Sequence, residues 1–374
     1  MPAGDQDIVV VPIATRPVER VTARSGYEGA TTRPRHVAAT PGYPLIEHAA
    51  FEVPLPLPEM TPVPVTIADY GCADGSTEMQ PMSRAIDGLR RRDPGVPIQI
   101  VHTDLPQNDF TSLFEMLAEP ERSYLPGRSE VYPMVVGEPR YGPLLPAGTL
   151  LLGWTAITVH WLSEVPGTIQ SAVFANLADP DDHARLAARS AADWERFLAE
   201  RARELVPNGQ LVVVAGASDD SGGSGAEGLF QLVTDQLDDM TARGALSRGE
   251  HDAIFFPTYN RTTAEFLAPM RTGAALADRL EVVEHQIHAM DDATIHPQWV
   301  RDHDGAAFAE SYLPFIRSVT ESSLFRWLAP ERTEAARSQV VEAFYSGLRR
   351  RIERDPERAT CRWRTVSLRI RRRP

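Results

Sequence analysis

The chain has 374 residues, 43% of them hydrophobic and 24% charged, enough to bury a large core in two or three structural units or in one catalytic domain with an elaborated cap. Its 38 basic and 51 acidic residues give a formal charge of −13, which argues against a polyanion as the main partner, because neutralising phosphates takes concentrated positive charge. All 38 basic residues are arginine, a bias that reads as a genome habit, and the local exception to the acidic balance is the tail, Arg369 and Arg371 to Arg373.

The only cysteines are Cys72 and Cys361, with no CxxC pair, so neither a disulfide framework nor a structural zinc site can be built on them. The opening MPAGDQDIVVVPIATRP lacks a basic region followed by a sustained apolar stretch, and no later segment runs for 18 apolar residues. The expectation is a cytoplasmic protein with neither a membrane nor a nucleic acid as partner.

Residues 1–60 are rich in Pro, Gly and Thr and read as an amino-terminal arm. VPLPLPEMTPVPV (53–65), with five prolines in thirteen residues, is an extended connector. The β-branched run VTIADYG (65–71) predicts the first strand; a loop and a helix follow, stopping at Pro94-Gly95, and PIQIVHTD (97–104) predicts the next strand. Strand, glycine-bearing loop, helix and strand make one βαβ unit, which implies a parallel sheet. TLLLGWTAITVHW (149–161) and GQLVVVAGA (209–217) add two strands. The latter follows a long helix in which Trp194, Phe197, Leu198, Ala202 and Leu205 recur at helical spacing, ended by Pro207-Asn208-Gly209.

These elements delimit a core over 61–217. SDDSGGSGAEG opens a mainly helical cap over 218–345, and WRTVSLRI, within 346–374, alternates Val366, Leu368 and Ile370 on one face of a final edge strand.

The chemistry concentrates in Asp69-Tyr70-Gly71-Cys72-Ala73-Asp74-Gly75. A glycine loop at the carboxyl end of a strand lets the backbone approach a ligand closely, although by itself the DxGxxxG spacing also suits a tight turn with no ligand. Asp104, at the end of the next strand, can accept both hydroxyls of an adenosine ribose. Dinucleotide and S-adenosylmethionine sites share that arrangement, so the spacing leaves the cofactor open.

HTDLPQNDFTSLFEML (102–117) resembles NDLPxNDFNxLF of the SABATH methyltransferases, and GWTAITVHWLSEVP (153–166) resembles their SSYSLHWLSxVP. FLAERARELVPNGQLVVVAG (197–216) and FFPTYNRTTAEF (255–266) are similar, in the same order, to FLxxRxxELxPGGxMVL and NxPYYxPSxEE. The resemblance implies an α/β fold, a Rossmann-like seven-stranded class I methyltransferase sheet with a mainly helical cap, commonly as a homodimer. It implies S-adenosylmethionine as cofactor and the carboxylate of a small hydrophobic acid as methyl acceptor. N-methylation of a nitrogen heterocycle, and a cofactor-binding partner subunit without turnover, are the alternatives.

Carried over by position, the resemblance assigns Tyr27, Thr32, Asp69, Gly71, Cys72, Asp104 and Leu105 to the cofactor. Pro139 and Arg140 stand where the family has a Ser-Phe pair beside the adenine, a departure that removes a hydroxyl from that contact. His160 and Trp161 match the His-Trp pair lining the substrate site, where an indole N–H suits a carboxylate oxygen. Read alone, they are core residues at a strand end. Arg35 falls where the family has a glutamine binding the carboxylate; an arginine binds one bidentately, although a Pro-rich arm also carries surface arginines. Ile157, replacing a common tyrosine, shapes the acceptor pocket. His285 and His288, near Asp291, read as a polar helix surface with no metal, the Arg349 to Arg351 run as a solvated helix face, and no nucleophile motif supports covalent catalysis.

Overall fold

The computed structural model describes residues 16–17, 32–56, 63–169, 172–290 and 296–374, with backbone alone for 16–17 and 32–34. A two-residue strand β1 (Arg16–Pro17) pairs antiparallel with β6 (Glu164–Val165). The other strands, β2 (Val65–Tyr70), β3 (Ile98–Asp104), β4 (Val131–Gly137), β5 (Leu150–Ala156), β7 (Leu205–Gly216), β8 (Leu280–Ala289) and β9 (Arg364–Arg372), form one seven-stranded sheet in the order β4-β3-β2-β5-β7-β9-β8. β2 runs parallel to β3 and β5, β3 to β4, and β5 to β7, whereas β9 is antiparallel to both β7 and β8. This is the expected seven-stranded Rossmann-like arrangement.

Every residue of β2 and of β5 is buried, as in a parallel sheet covered on both faces. On one face, α1 (Thr32–Ala39), α2 (Tyr43–Glu52), α3 (Met79–Arg92) and α4 (Phe110–Ala118) contribute to a core in which Ile46, Met82 and Ile86 meet Ile67 and Val212. On the other, α5 (Pro180–Glu204) sets Phe197 and Leu198 against Ala68, Val213 and Leu368. Asp179 caps α5 by accepting from the Asp182 N–H at 2.9 Å, with Pro180 at the first turn.

The cap comprises α6 (Glu227–Ala242), α7 (Arg248–Ala253), α8 (Thr263–Leu267), α9 (Pro297–Asp302), α10 (Gly305–Leu324), α11 (Glu334–Arg354) and α12 (Pro356–Ala359). Except for α8, whose Phe266 packs into the core with Trp194 and Phe197, these helices surround a second core that joins Phe230 and Leu237 to Tyr312, Ile316, Phe344 and Leu348, and Trp161 belongs to it.

Six features differ from the sequence expectation. The helix over residues 180–204 stops before Pro207-Asn208-Gly209, which lies inside β7 where the register with β5 shifts and Asn208 takes φ +62°. β5 ends at Ala156, so His160 and Trp161 sit in the turn beyond it. β4 escapes notice because Pro133 interrupts it, which an edge strand tolerates. The segment holding His285 and His288 is the edge strand β8 rather than a helix, and Glu284, His285 and Gln286 on it are exposed. β9 is consequently not an edge: it is enclosed by β7 and β8, and its tail arginines are paired, Arg369 with Glu52 at 2.6 Å and Arg371 with Glu281 at 2.5 Å. Arg351 likewise leaves the solvated face to bond Gln236 Oε1 at 3.0 Å. Both cysteines are buried. Among the described residues, no group of three His, Cys, Asp or Glu side chains converges, and no helix is long and apolar enough to cross a membrane.

Candidate active site

The loop after β2 is tied to its neighbours through backbone groups. The N–H groups of Gly71 and Cys72 both donate to the Thr103 carbonyl, at 2.8 and 3.0 Å. Gly71 has φ +93°, and a Cβ there would lie 2.4 Å from Thr158 Cγ2, so only glycine lets this loop press against the turn after β5. Asp104 then locks the loop to β3: Oδ2 accepts from the Ala73 N–H and Oδ1 from the Leu105 N–H, both at 2.8 Å. An ionised carboxylate has about four acceptor directions, so Asp104 retains capacity for a diol.

Beneath the loop lies a closed polar cluster. His102 Nδ1 is 2.7 Å from Asp69 Oδ2, and its Nε2 is 2.8 Å from the Tyr124 hydroxyl. The Trp154 indole N–H donates to Glu78 Oε2 at 2.6 Å, and the Thr77 hydroxyl donates to Glu78 Oε1 at 2.8 Å. Burial pushes the Asp69 and Glu78 carboxyls well above the usual carboxylate range and the His102 imidazole down to about 4. Asp69–His102–Tyr124 is therefore a neutral hydrogen-bonded chain rather than an ion pair.

The turn after β5 carries the opposite wall. Ile157 takes φ +53°, a conformation costly for a β-branched residue, and its N–H donates to the Val214 carbonyl at 2.8 Å. His160 Nδ1 accepts from the Gly216 N–H at 3.3 Å, which leaves the ring proton to Nε2 in the neutral tautomer. The Trp161 ring packs edge-to-face on Phe256 at 4.9 Å, and its carbonyl accepts from the Tyr141 hydroxyl at 2.5 Å. The buried Arg261 braces this turn, donating to the Val159 carbonyl at 2.8 Å and to the Ser190 carbonyl at 2.6 Å.

Loop, turn, α1 and cap enclose a cavity of about 1310 Å³ including its open mouth. It is lined by Gly71, Ala73 and Thr77 of the loop and its helix, by Ile157, His160 and Trp161 of the turn, and by the aromatic rings of Phe230, Phe256, Phe315 and Trp363. Its cationic groups among the described residues are Arg35 and Arg364. Arg364 is paired with Asp219 at 2.9 Å, whereas Arg35 Nε is closed off from solvent and has no hydrogen-bond partner among the described residues.

Arg35, Gly71, Ile157, His160 and Trp161 thus meet in one cavity. Asp69 and Cys72 are buried beneath the loop, and Asp104 with Leu105 stands beside it. Pro139 is exposed, and neither it nor Arg140 lines the cavity; the Arg140 carbonyl accepts from Arg201 Nη1 at 3.0 Å. Tyr27 and the side chain of Thr32 lie outside the described residues. Thr77, Asn260 and Thr365 line the cavity without a sequence signal of their own, and Arg261 announces itself no better.

The strand order, the glycine loop at the end of β2 and the acid at the end of β3 define a class I methyltransferase fold. The chain belongs to the SAM dependent carboxyl methyltransferase family, which matches residues 36–371. It is 31% identical to Methyltransferase LUC1 of Fusarium sp over 53% of this chain and 52% of that protein. With Indole-3-acetate O-methyltransferase 1 of Oryza sativa subsp. japonica it shares 29% identity over 58% of this chain and 62% of that one. These matches span only about half to three-fifths of each relative's length. A loganic acid methyltransferase solved with SAH has the same fold, with a TM-score of 0.73 at 16% identity, covering 94% of this chain and 98% of that one.

The residues present suit the family's cofactor. Gly71 and Ala73 line the cavity at the end of β2, and Asp104, at the end of β3, spends only two of its acceptor directions on backbone N–H groups.

Proposed function

We propose that the chain transfers the methyl group of S-adenosylmethionine to a carboxylate oxygen of a small, largely apolar acid. The observation that carries this reading is Arg35 Nε–H, a charged donor shut away from water without an acceptor among the described residues, in an aromatic-walled cavity. A buried guanidinium donor left unpaired is costly, and a carboxylate supplies the acceptors it lacks. In this reading Tyr27, Thr32 and Asp104 hold the cofactor, which supplies an electrophilic methyl group when bound.

A carboxylate is already ionised at neutral pH, with an ordinary pKa near 4, so no general base is needed. Arg35 and the Trp161 indole N–H bind the acid, and Arg35 engages the oxygen that does not react, since pairing with the other would lower its nucleophilicity. Ile157 and His160 fix the depth of the acid in the cavity. Alignment of this kind supplies on the order of 7–11 kcal/mol of a barrier. The aromatic cap side strips water from the reacting oxygen.

The same reading takes residues 218–345 as the cap unit and the protein as a cytoplasmic homodimer; light scattering coupled to size exclusion tests the dimer. For the chemistry, the protein is incubated with methyl-labelled S-adenosylmethionine and a panel of apolar acids and nitrogen heterocycles. A base-labile methyl ester is the expected product. Label appearing only in N-methyl groups, or in no compound, overturns the proposal.

A further inference from the structure

We infer that the acid methylated here carries a second, neutral hydrogen-bonding group, a hydroxyl or a carbonyl, received by Thr365 and Asn260 above Gly216. The inference rests on the carboxylate reading and extends it to the substrate class.

Gly216, the last residue of β7, lies directly opposite Thr365 in the antiparallel ladder with β9. Directly opposed residues point to the same face of a sheet, with Cβ atoms about 4.5–5.5 Å apart. A Cβ on Gly216 would stand 2.7 Å from Asn260 Oδ1 and 3.5 Å from His160 Nδ1. The space above Gly216 is therefore walled by the Asn260 amide, the His160 ring and the Thr365 hydroxyl, and all four residues line the cavity.

Within this group Thr365 is out of balance. It is 2% exposed, and its Oγ1 is shut off from solvent with no hydrogen-bond partner among the described residues. Further along the same face of β9, Ser367 Oγ meets His288 Nε2 at 2.8 Å and Arg369 Nη1 donates to Glu52 Oε2 at 2.6 Å. The polar residues of this face that lie beyond the cavity are thus provided for, and the one that lines it is not. A buried hydroxyl without a partner is unfavourable, and a valine of the same shape would remove the cost.

The donors also fix the kind of group received. A hydroxyl and an amide are neutral, which suits a neutral hydroxyl or carbonyl. A second carboxylate would call for a cation, and Arg364, the cavity cation nearest in sequence, is already engaged by Asp219 at 2.9 Å and by the Gly223 carbonyl at 3.2 Å. With aromatic rings from Phe174, Phe230, Phe256 and Trp363 around it, the acceptor class is a hydroxy or oxo acid on an otherwise apolar skeleton.

The test measures binding of matched pairs, each a hydroxy or oxo acid and its deoxy analogue, by calorimetry with S-adenosylhomocysteine present so that no turnover occurs. For at least one pair the wild-type protein favours the oxygenated member by about tenfold or more, and Thr365→Val reduces that ratio to near unity. Thr365→Val also leaves the ligand-free protein as stable as the wild type or more so, whereas Ser367→Ala, on the same face but beyond the cavity, keeps the ratio within about twofold. Equal binding within every pair, or a ratio that survives Thr365→Val, overturns the inference and means that water satisfies Thr365. Methylation of both members with equal affinity would do so while leaving the Arg35 reading intact. Absence of binding by every acid would overturn both.

Discussion

The Asp104 carboxylate accepts from the Ala73 N–H at 2.8 Å, fastening the glycine loop after β2 to the end of β3. Asp104 therefore has two duties, shaping the loop and presenting acceptor capacity to the ribose. Asp104→Ala removes both, and the affinity for S-adenosylmethionine is expected to fall by about 1.5–3 kcal/mol, the worth of hydrogen bonds to a charged group. Asp104→Asn, whose amide oxygen can still accept from Ala73, loses less. Calorimetry giving unchanged affinity in Asp104→Ala removes the assignment.

Arg261 is 1% exposed and spans two elements, bonding the Val159 carbonyl at 2.8 Å and the Ser190 carbonyl at 2.6 Å. Its guanidinium also lies 5.6 Å from the Trp194 ring centroid and 5.5 Å from that of Phe266. Arg261→Met leaves the buried Val159 carbonyl unpaired and removes a second bond from the Ser190 carbonyl, which keeps its partner within α5, at a cost of about 1–3 kcal/mol. Because Val159 belongs to the turn bearing His160 and Trp161, turnover falls more than cofactor affinity. Denaturant titration showing a loss under about 1 kcal/mol contradicts this bracing role.

The polar cluster under the loop makes stability depend on pH. The folded His102 is depressed from 6.5 to about 4, so the stability tied to its neutral form is present above pH 6.5 and is lost as pH falls toward 4. The loss attributable to His102 is on the order of 3 kcal/mol. Asp69 and Glu78 act in the opposite sense: raised in the folded state, they favour folding below the ordinary carboxylate range and lose that contribution as pH rises. The His102 part is isolated by comparing wild type with His102→Gln, whose deficit at pH 7 shrinks by about that amount at pH 4. A deficit independent of pH refutes the neutral-histidine picture.

Much of this arrangement was legible in the sequence where local signals were strong. The run Val65–Tyr70 followed by Gly71 marked a strand and a ligand-facing loop, because a β-branched run ending at glycine has few other uses. Pro133 and the polar residues of Leu280–Ala289 concealed β4 and β8, since edge strands tolerate a proline and a wet face that a central strand would not. The hidden part of the site has a different cause. Thr365 and Asn260 are 105 positions apart and meet over Gly216 only through the β7–β9 register and the loop after Phe256. Asp69 looked like a cofactor contact from its place in the loop motif, but strand alternation turns its carboxylate into the buried cluster with His102.

The account stands on the charge at position 35, and its most direct test is the kinetics of Arg35→Gln and Arg35→Glu with the best acid substrate. Glutamine keeps a neutral donor and retains measurable kcat/KM. Glutamate sets like charges together, a cost of several kcal/mol that lowers kcat/KM at least about a hundredfold below the glutamine variant. Equal activity of the two variants would contradict a carboxylate held by Arg35.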